Sequence, residues 1–248
     1  MGYCNTSGIE NMDYIITDPN LIYENEKNLY SEKVIYLPEI WNCHCGFDFE
    51  RKENPPPFVN NKYFTFGSFN NPSKLTDNVL DCWSNILKKV KGSKLIIKCS
   101  SKKRKFDRIE KIFKKNGVLD SVTFYYRIDK LEDHLNLYRK IDVALDTFPY
   151  NGVTTSFEAT WMGVPVITMA GYNFNSRCGE SINKNLNMER MVAKDEEDYV
   201  NKVVYLSNNH EDYINLRKSI FLNALKSPLF DVQNYSKSFF EALEGIVN

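Results

Sequence analysis

The sequence predicts an α/β fold: a Rossmann-like parallel sheet with helices on both faces, preceded by a short segment with two strand-like runs of its own. Three observations carry this. From about residue 60 onward, short apolar runs alternate with amphipathic stretches of helical length. A proline-rich linker, Glu53-Asn-Pro-Pro-Pro-Phe58, separates that alternation from what precedes it. Asp146–Glu158 reads as a buried strand delivering its end onto the start of a helix, the signature of a parallel βα unit.

Taken in order, Tyr14–Thr17 and Val34–Leu37 read as strands separated by a polar segment. They are too few to form a domain of their own. The boundaries expected are 1–59 for this leading segment and linker, 60–226 for the sheet-bearing lobe and 227–248 for a terminal helix; the family resemblance given below implies that the first is the remnant of an N-terminal lobe and that the last crosses back toward it. Tyr63–Phe69 is strand-like. Asp77–Val90 is helical, with Val79, Leu80, Trp83, Ile86, Leu87 and Val90 on one face. Leu95–Lys98 is a strand, Lys105–Asn116 a helix ended by Gly117, Val122–Tyr126 a strand and Leu131–Lys140 a helix. Val143–Asp146 is a strand, broken at Asn151-Gly152. Thr154 or Thr155 then caps a helix to Met162, which Gly163 and Pro165 end. Val166–Met169 is a strand. Three helical segments follow from Glu196, the last of them Val232–Ile246, with Phe239, Phe240, Leu243 and Ile246 as its apolar residues.

Composition narrows the function. Lysine plus arginine and aspartate plus glutamate both number 32, so no global field recruits nucleic acid or an anionic membrane. The basic run Lys102–Lys105 opens an amphipathic stretch (Phe106, Ile109, Ile112, Phe113) and reads as a solvated helix start. Six cysteines form no CxxC pair, and Cys43-His44-Cys45 has no second ligand pair at zinc spacing. Reduced thiols, a cytoplasmic location and no metal are expected. No secretory signal and no membrane-length apolar run is seen. Met1-Gly2 with Thr6 formally fits a myristoylation pattern, and Asn5 and Asn234 open sequons that carry little weight without a signal segment.

In open α/β sheets, ligands bind beyond the carboxyl ends of the strands. Three segments put polar residues there. Lys74, in Ser68–Lys74, would sit at a helix N-terminus, against the dipole, unless an anion is bound. His134, in Asp129–His134, is placed to stack on a base or hydrogen-bond to it. In Asn151–Glu158, a glycine that admits a ligand, two hydroxyls and free helix amides suit phosphate, and Glu158 one turn on suits sugar hydroxyls. Singly, each has a plain alternative: a lysine leaning into water, a surface histidine, an ordinary capped crossover helix. Together, on successive strand ends, they favour a nucleotide-sugar site. There is no P-loop, no GxGxxG and no GxSxG elbow, and no DxD pair sits at a strand end to chelate a metal-bound diphosphate.

These residues resemble the C-terminal catalytic lobe of the O-linked N-acetylglucosaminyltransferase family, the SPINDLY-like glycosyltransferases of GT-B fold. The resemblance runs through Gly2–Gly8, Met12–Asp18, Tyr30–Lys33, Tyr36–Pro38, Phe66–Lys74, Asp146–Glu158, Met162–Pro165, Ser176-Arg177 and Ser227–Phe230. It implies an inverting, metal-independent transfer from a UDP-sugar, most often UDP-N-acetylglucosamine, to a protein Ser or Thr. By position it implies that Lys74 neutralises the diphosphate and that Asn71 lies beside the donor. His134 would pack on uridine, Thr154 and Thr155 would bind phosphate, and Glu158 would take the ribose hydroxyls. Two departures are Glu158 where the family commonly has Asp, and Asn71 where it has Gln. The resemblance also implies that the chain opens inside the N-lobe, without the upstream part of that lobe or the tetratricopeptide repeats. Partners would be a UDP-sugar, an acceptor protein or peptide, and a separate N-lobe chain. The alternatives are an inactive nucleotide-sugar-binding fragment and a UDP-glucose-dependent protein N-glucosyltransferase.

Overall fold

A computed structural model describes residues 5–98, 106–126 and 128–247. Met1-Gly2, Cys4, Cys99 and the basic run Lys102–Lys105 lie outside the described residues. The sheet-bearing lobe begins where Pro57 starts a short helix, α1 (Pro57–Asn61). The last two residues of the expected linker therefore belong to a helical turn, because proline at the first helical position loses no hydrogen bond. Then come β3 (Thr65–Ser68), α2 (Asp77–Lys89), β4 (Lys94–Lys98), α3 (Phe106–Lys115), β5 (Val122–Tyr125), α4 (Leu131–Tyr138) and β6 (Val143–Leu145). They are followed by α5 (Thr154–Trp161), β7 (Val166–Met169), α6 (Cys178–Lys184), β8 (Val192–Ala193), α7 (Glu196–Asn208), α8 (His210–Asn223) and α9 (Val232–Val247). Before them, β1 (Tyr14–Thr17) and β2 (Lys33–Tyr36) make a separate parallel pair.

The main sheet has the order β5-β4-β3-β6-β7-β8, and every pairing is parallel. The direction of winding reverses between β3 and β6. Their carboxyl ends therefore flank an open crevice, the place where such sheets bind ligands. Alternation along the strands separates two cores. Leu95, Ile97, Val143 and Leu145 face one core with Val79, Leu80, Trp83, Phe106 and Phe113. Ile96 and Ala144 face the other with Leu135, Tyr138 and Ala159. A strand buried on both faces reads as a continuous apolar run, which is why these strands were legible. Among the described residues, no helix is long and apolar enough to cross a membrane.

Residues 5–56 are fastened to the main lobe by buried and part-buried polar contacts. Both Arg177 Nη atoms donate to the Glu26 carboxylate, and the guanidinium lies 3.9 Å from the centre of the Tyr23 ring. The Ser181 hydroxyl donates to Asp18 Oδ2 at 2.6 Å, and the Trp41 amide donates to the same oxygen at 3.0 Å. From the other side α9 returns to this segment, where the Tyr235 hydroxyl donates to the Trp41 carbonyl at 2.9 Å.

Element ends differ from expectation by a residue or two. Helix α4 stops at Tyr138 because the Arg139 and Lys140 amides turn to the carbonyls three residues back, tightening the last turn. Helix α6 and strand β8 are absent from the sequence reading. In α6, Glu180, Ser181 and Asn183 are buried, so no apolar stripe announces it.

Gly67, in the middle of β3, has no room for a side chain: a Cβ would lie 2.6 Å from Ile141 Cγ2, and Ile141 is itself fully buried. Gly67→Ala is expected to cost about 1–3 kcal/mol. Urea unfolding should show a lower midpoint with an unchanged slope. An unchanged midpoint would mean that the two layers separate easily here.

Candidate functional site

Strand β6 ends against the crevice, and Asp146 follows it with a carboxylate almost wholly sealed from solvent. Oδ1 accepts from the Thr147 amide at 2.8 Å and from the Gly152 amide at 2.6 Å. Oδ2 accepts from the Thr168 hydroxyl at 2.7 Å. Burial pushes the pKa up from 3.8 to about 6, while these hydrogen bonds and the charge on Lys74 pull the other way. The carboxylate folds residues 147–152 back on themselves and aims the start of α5 at the crevice.

Gly152 is a glycine because of this packing. A Cβ there would meet Thr155 Oγ1 at 2.5 Å, Asn70 Oδ1 at 2.7 Å and Asp146 Oδ1 at 3.0 Å. The chain's own polar atoms fill the space that the sequence reading left for a ligand. Neither threonine caps α5, contrary to expectation. Val153 stands at the cap position with no side-chain hydrogen bond, and the Thr155 hydroxyl donates to Asn70 Oδ1 at 3.0 Å instead. Thr154, the first helical residue, is exposed. The amides of Thr154 and Thr155 consequently have no acceptor among the described residues, and the positive end of α5 is open.

Lys74 closes a 3-10 turn, Pro72–Lys74, ahead of α2. Its ammonium donates to the Asn151 carbonyl at 2.6 Å and lies 4.0 Å from the centre of the Tyr150 ring. The conflict with the α2 dipole is met by that carbonyl, so the conflict itself does not demand an anion. What the contact does is carry the charge across the switch point, from the β3 loop to the loop that opens α5. Asn151 is fully buried. Its Nδ2 donates to the Thr147 carbonyl at 2.9 Å and its Oδ1 accepts from the Gly179 amide at 3.2 Å.

Asn71 is exposed and turned onto its own turn, where Oδ1 accepts from the Ser73 amide and hydroxyl at 3.1 and 2.9 Å. Its neighbour Asn70 is the inward residue, 3.5 Å from Asp146 Oδ1 through Nδ2. Two adjacent asparagines look alike in sequence, and only the turn decides which one points in.

A second cluster spans α4 and α5. His134 Nε2 lies 2.8 Å from Glu158 Oε2, and His134 Nδ1 lies 3.1 Å from Lys98 Nζ. An ammonium can only donate, so Nδ1 accepts and the Nε2 hydrogen goes to Glu158. The Tyr138 hydroxyl is 2.8 Å from the same Oε2 and 3.1 Å from the Thr155 carbonyl. Burial lowers the pKa of Lys98, and the Glu158 charge opposes the shift. Burial, reinforced by Glu158, drives the Tyr138 phenol well above its usual range. His134 is itself buried, edge-on to Phe69 and Tyr138, with centroids 6.0 and 5.6 Å apart. Both its ring nitrogens are engaged, and it holds Glu158 in place.

The structure thus brings Lys74, Thr154 and Thr155 around one loop and joins His134 to Glu158, while Asn71 faces away on its own turn. Asn70, Lys98, Tyr138, Asp146 and Asn151 complete the arrangement, and the sequence reading named none of them as site residues. Asp146 carried a usable signal, an acid directly after an apolar strand. Among the described residues, no three His, Cys, Asp or Glu side chains converge as metal ligands. His44, between two cysteines, accepts from the Gly46 amide and stacks on Phe47.

Residues 58–239 match the sequence model of glycosyl transferase family 41. A relative from Solanum lycopersicum, named probable UDP-N-acetylglucosamine–peptide N-acetylglucosaminyltransferase SPINDLY, is 35% identical over 245 residues, covering 96% of this chain and 26% of its own length. The chain spans about a quarter of the length of the curated relatives it matches. Among solved structures, a mutant O-GlcNAc transferase of Thermobaculum terrenum superposes with a TM-score of 0.85 at 26% identity, over 99% of this chain and 46% of its own. WaaG, a glycosyltransferase involved in lipopolysaccharide biosynthesis, gives a TM-score of 0.63 at 15% identity over 95% of this chain and 64% of its own, a likeness of fold alone.

The raised pKa of Asp146 has a consequence for stability. The folded chain holds this proton more tightly than the unfolded one, so between about pH 4 and 6 the contribution of the group falls as pH rises. Relative to Asp146→Asn, the wild type should lose up to about 3 kcal/mol across that window and change little above it. Melting curves of both proteins from pH 4 to 8 would check this. A difference that stays flat or grows with pH would mean that the hydrogen bonds keep the carboxylate ionised throughout.

Proposed function

The chain belongs to glycosyl transferase family 41, and from that premise we propose that it is the donor-binding lobe of an enzyme that transfers a sugar, N-acetylglucosamine foremost, from a UDP-sugar to a protein Ser or Thr. One observation carries the reading. At the topological switch point, the Lys74 ammonium rests on the Asn151 carbonyl, in the loop that leads into the open amides of α5. A fixed cation and a helix N-terminus converging on one crevice suit a diphosphate.

In this reading Lys74 and the Thr154 and Thr155 amides take the diphosphate oxygens, with the exposed Thr154 hydroxyl beside them. Glu158 Oε2 is committed to His134 and Tyr138, while Oε1 has no partner among the described residues and accepts from the ribose hydroxyls. The acceptor hydroxyl attacks the anomeric carbon and gives up its proton to solvent, the bond to the β-phosphate oxygen breaks, and the bonding pair leaves with UDP. Negative charge grows on that leaving oxygen, so a cation fixed next to it stabilises the transition state more than the ground state. No metal is invoked, since Lys74 and the helix dipole supply the positive charge. A cytoplasmic setting is the reading that the free thiols of Cys43, Cys45 and Cys82 support.

The isolated chain should bind UDP at about 0.1–1 mM, unchanged by EDTA, as titration calorimetry would show. Lys74→Met should weaken that binding at least about tenfold while leaving the circular dichroism spectrum intact, and should abolish transfer in the full-length protein. Binding lost with EDTA would overturn the metal-free reading. Transfer near the wild-type rate in the Lys74→Met protein would remove Lys74 from its role.

A further inference from the structure

A cavity of about 500 Å³ opens at the amino-terminal end of the sheet, the end opposite the donor crevice. Its position follows from its walls. Arg139 lies just before β6, Met162 and Gly163 just before β7, and the remaining wall comes from the proline linker and α8. The volume is within the range of small-molecule sites. Its lining is largely apolar, supplied by Pro55, Pro56, Val59, Met162, Ile214 and Phe221.

The charged groups on the walls are unbalanced. Arg217, Lys218, Arg139 and Lys52 line the cavity against a single carboxylate, Glu53. Two of these cations are partly committed elsewhere: Lys52 to Glu50 at 2.9 Å, and Arg139 to Asn136 Oδ1 at 2.9 Å. Arg217 differs in kind. It is only 8% exposed, yet among the described residues its hydrogen bonds all run through one nitrogen, Nη1, to the Ile141 and Asp142 carbonyls and the Tyr213 hydroxyl. Its Nε and Nη2 have no acceptor among the described residues. A guanidinium in a largely buried residue, with two donor groups that no protein acceptor takes, set in an apolar wall beside Lys218, fits an oxyanion in its fork.

We propose that this cavity is a second ligand site that takes a small organic oxyanion, a carboxylate or phosphate ester on an apolar body. The anionic head pairs with Arg217 and Lys218, and the body lies on Pro55, Pro56, Ile214 and Phe221. The site is independent of the donor crevice and of the glycosyltransferase reading.

Titration calorimetry on the whole chain with 4-phenylbutyrate, phenyl phosphate and the neutral 4-phenylbutan-1-ol tests it. At least one anion should bind one-to-one with a Kd at least tenfold below that of the alcohol, and the tighter of the two identifies the head group. Lys218→Glu reverses an exposed charge and should melt like the wild type, yet raise that Kd fivefold or more. Arg217→Met should do the same where it folds. The proposal fails if the alcohol binds as tightly as the anions, if neither anion binds the folded chain, or if Lys218→Glu leaves the affinity unchanged.

Discussion

The carboxylate of Asp146 holds the crevice together. It is inaccessible to water, and the protein replaces that water with the Thr147 and Gly152 amides and the Thr168 hydroxyl. Its backbone carbonyl accepts from the fully buried Tyr199 hydroxyl of α7 at 2.9 Å, so the residue is fixed from the layer below as well. Everything placed at the mouth of the crevice depends on this. The reversal of the chain between Thr147 and Gly152, the direction of α5 and the carbonyl that Lys74 reaches all follow from where that side chain sits. Removing one partner of such a group leaves buried donors unsatisfied, which costs more than the hydrogen bond itself is worth.

The framework was legible because it rests on periodicity. Doubly buried strands such as β4, with Leu95, Ile96 and Ile97 in a row, and β7, with Val166 and Ile167, are dense in apolar residues, and α2 displays its apolar face at helical spacing, so burial fixes them. The polar half of the site was less legible. Lys74, Thr154, Thr155, His134 and Glu158 can be found by asking what stands at strand ends. Nothing in composition, however, says that Thr155 prefers Asn70 to the amides of its own helix, or that Asn71 spends its oxygen on Ser73. Those choices are made among near-equal local hydrogen bonds, which tertiary contacts decide. The same reason hides α6, whose inward residues are polar and satisfied by residues distant in sequence, such as Asp18 and Val166.

The Lys98–His134–Glu158–Tyr138 cluster shows how a lone histidine acquires a role that its sequence position does not state. Lys98 ends β4, His134 and Tyr138 sit one turn apart on α4, and Glu158 comes from α5. Three elements must be assembled before the imidazole has both partners. The cluster ties α4 to α5 across the crevice side of the sheet and sets the face that α5 presents.

Helix α6 touches both halves of the molecule. At its start, the Gly179 amide is bonded to Asn151, and the residue packs so closely on Thr168 and Asp146 that an added Cβ would lie 2.1 Å from the threonine hydroxyl. On either side of that glycine, Arg177 grips Glu26 and Ser181 bonds to Asp18, both in the segment that precedes the linker. These bonds lie within two turns of one another on a single short helix. A path of direct contacts therefore runs from the leading segment through Gly179 and Asn151 to the oxygen on which the Lys74 charge rests. The geometry of the cation in the crevice is thereby tied mechanically to the angle between the two halves of the chain.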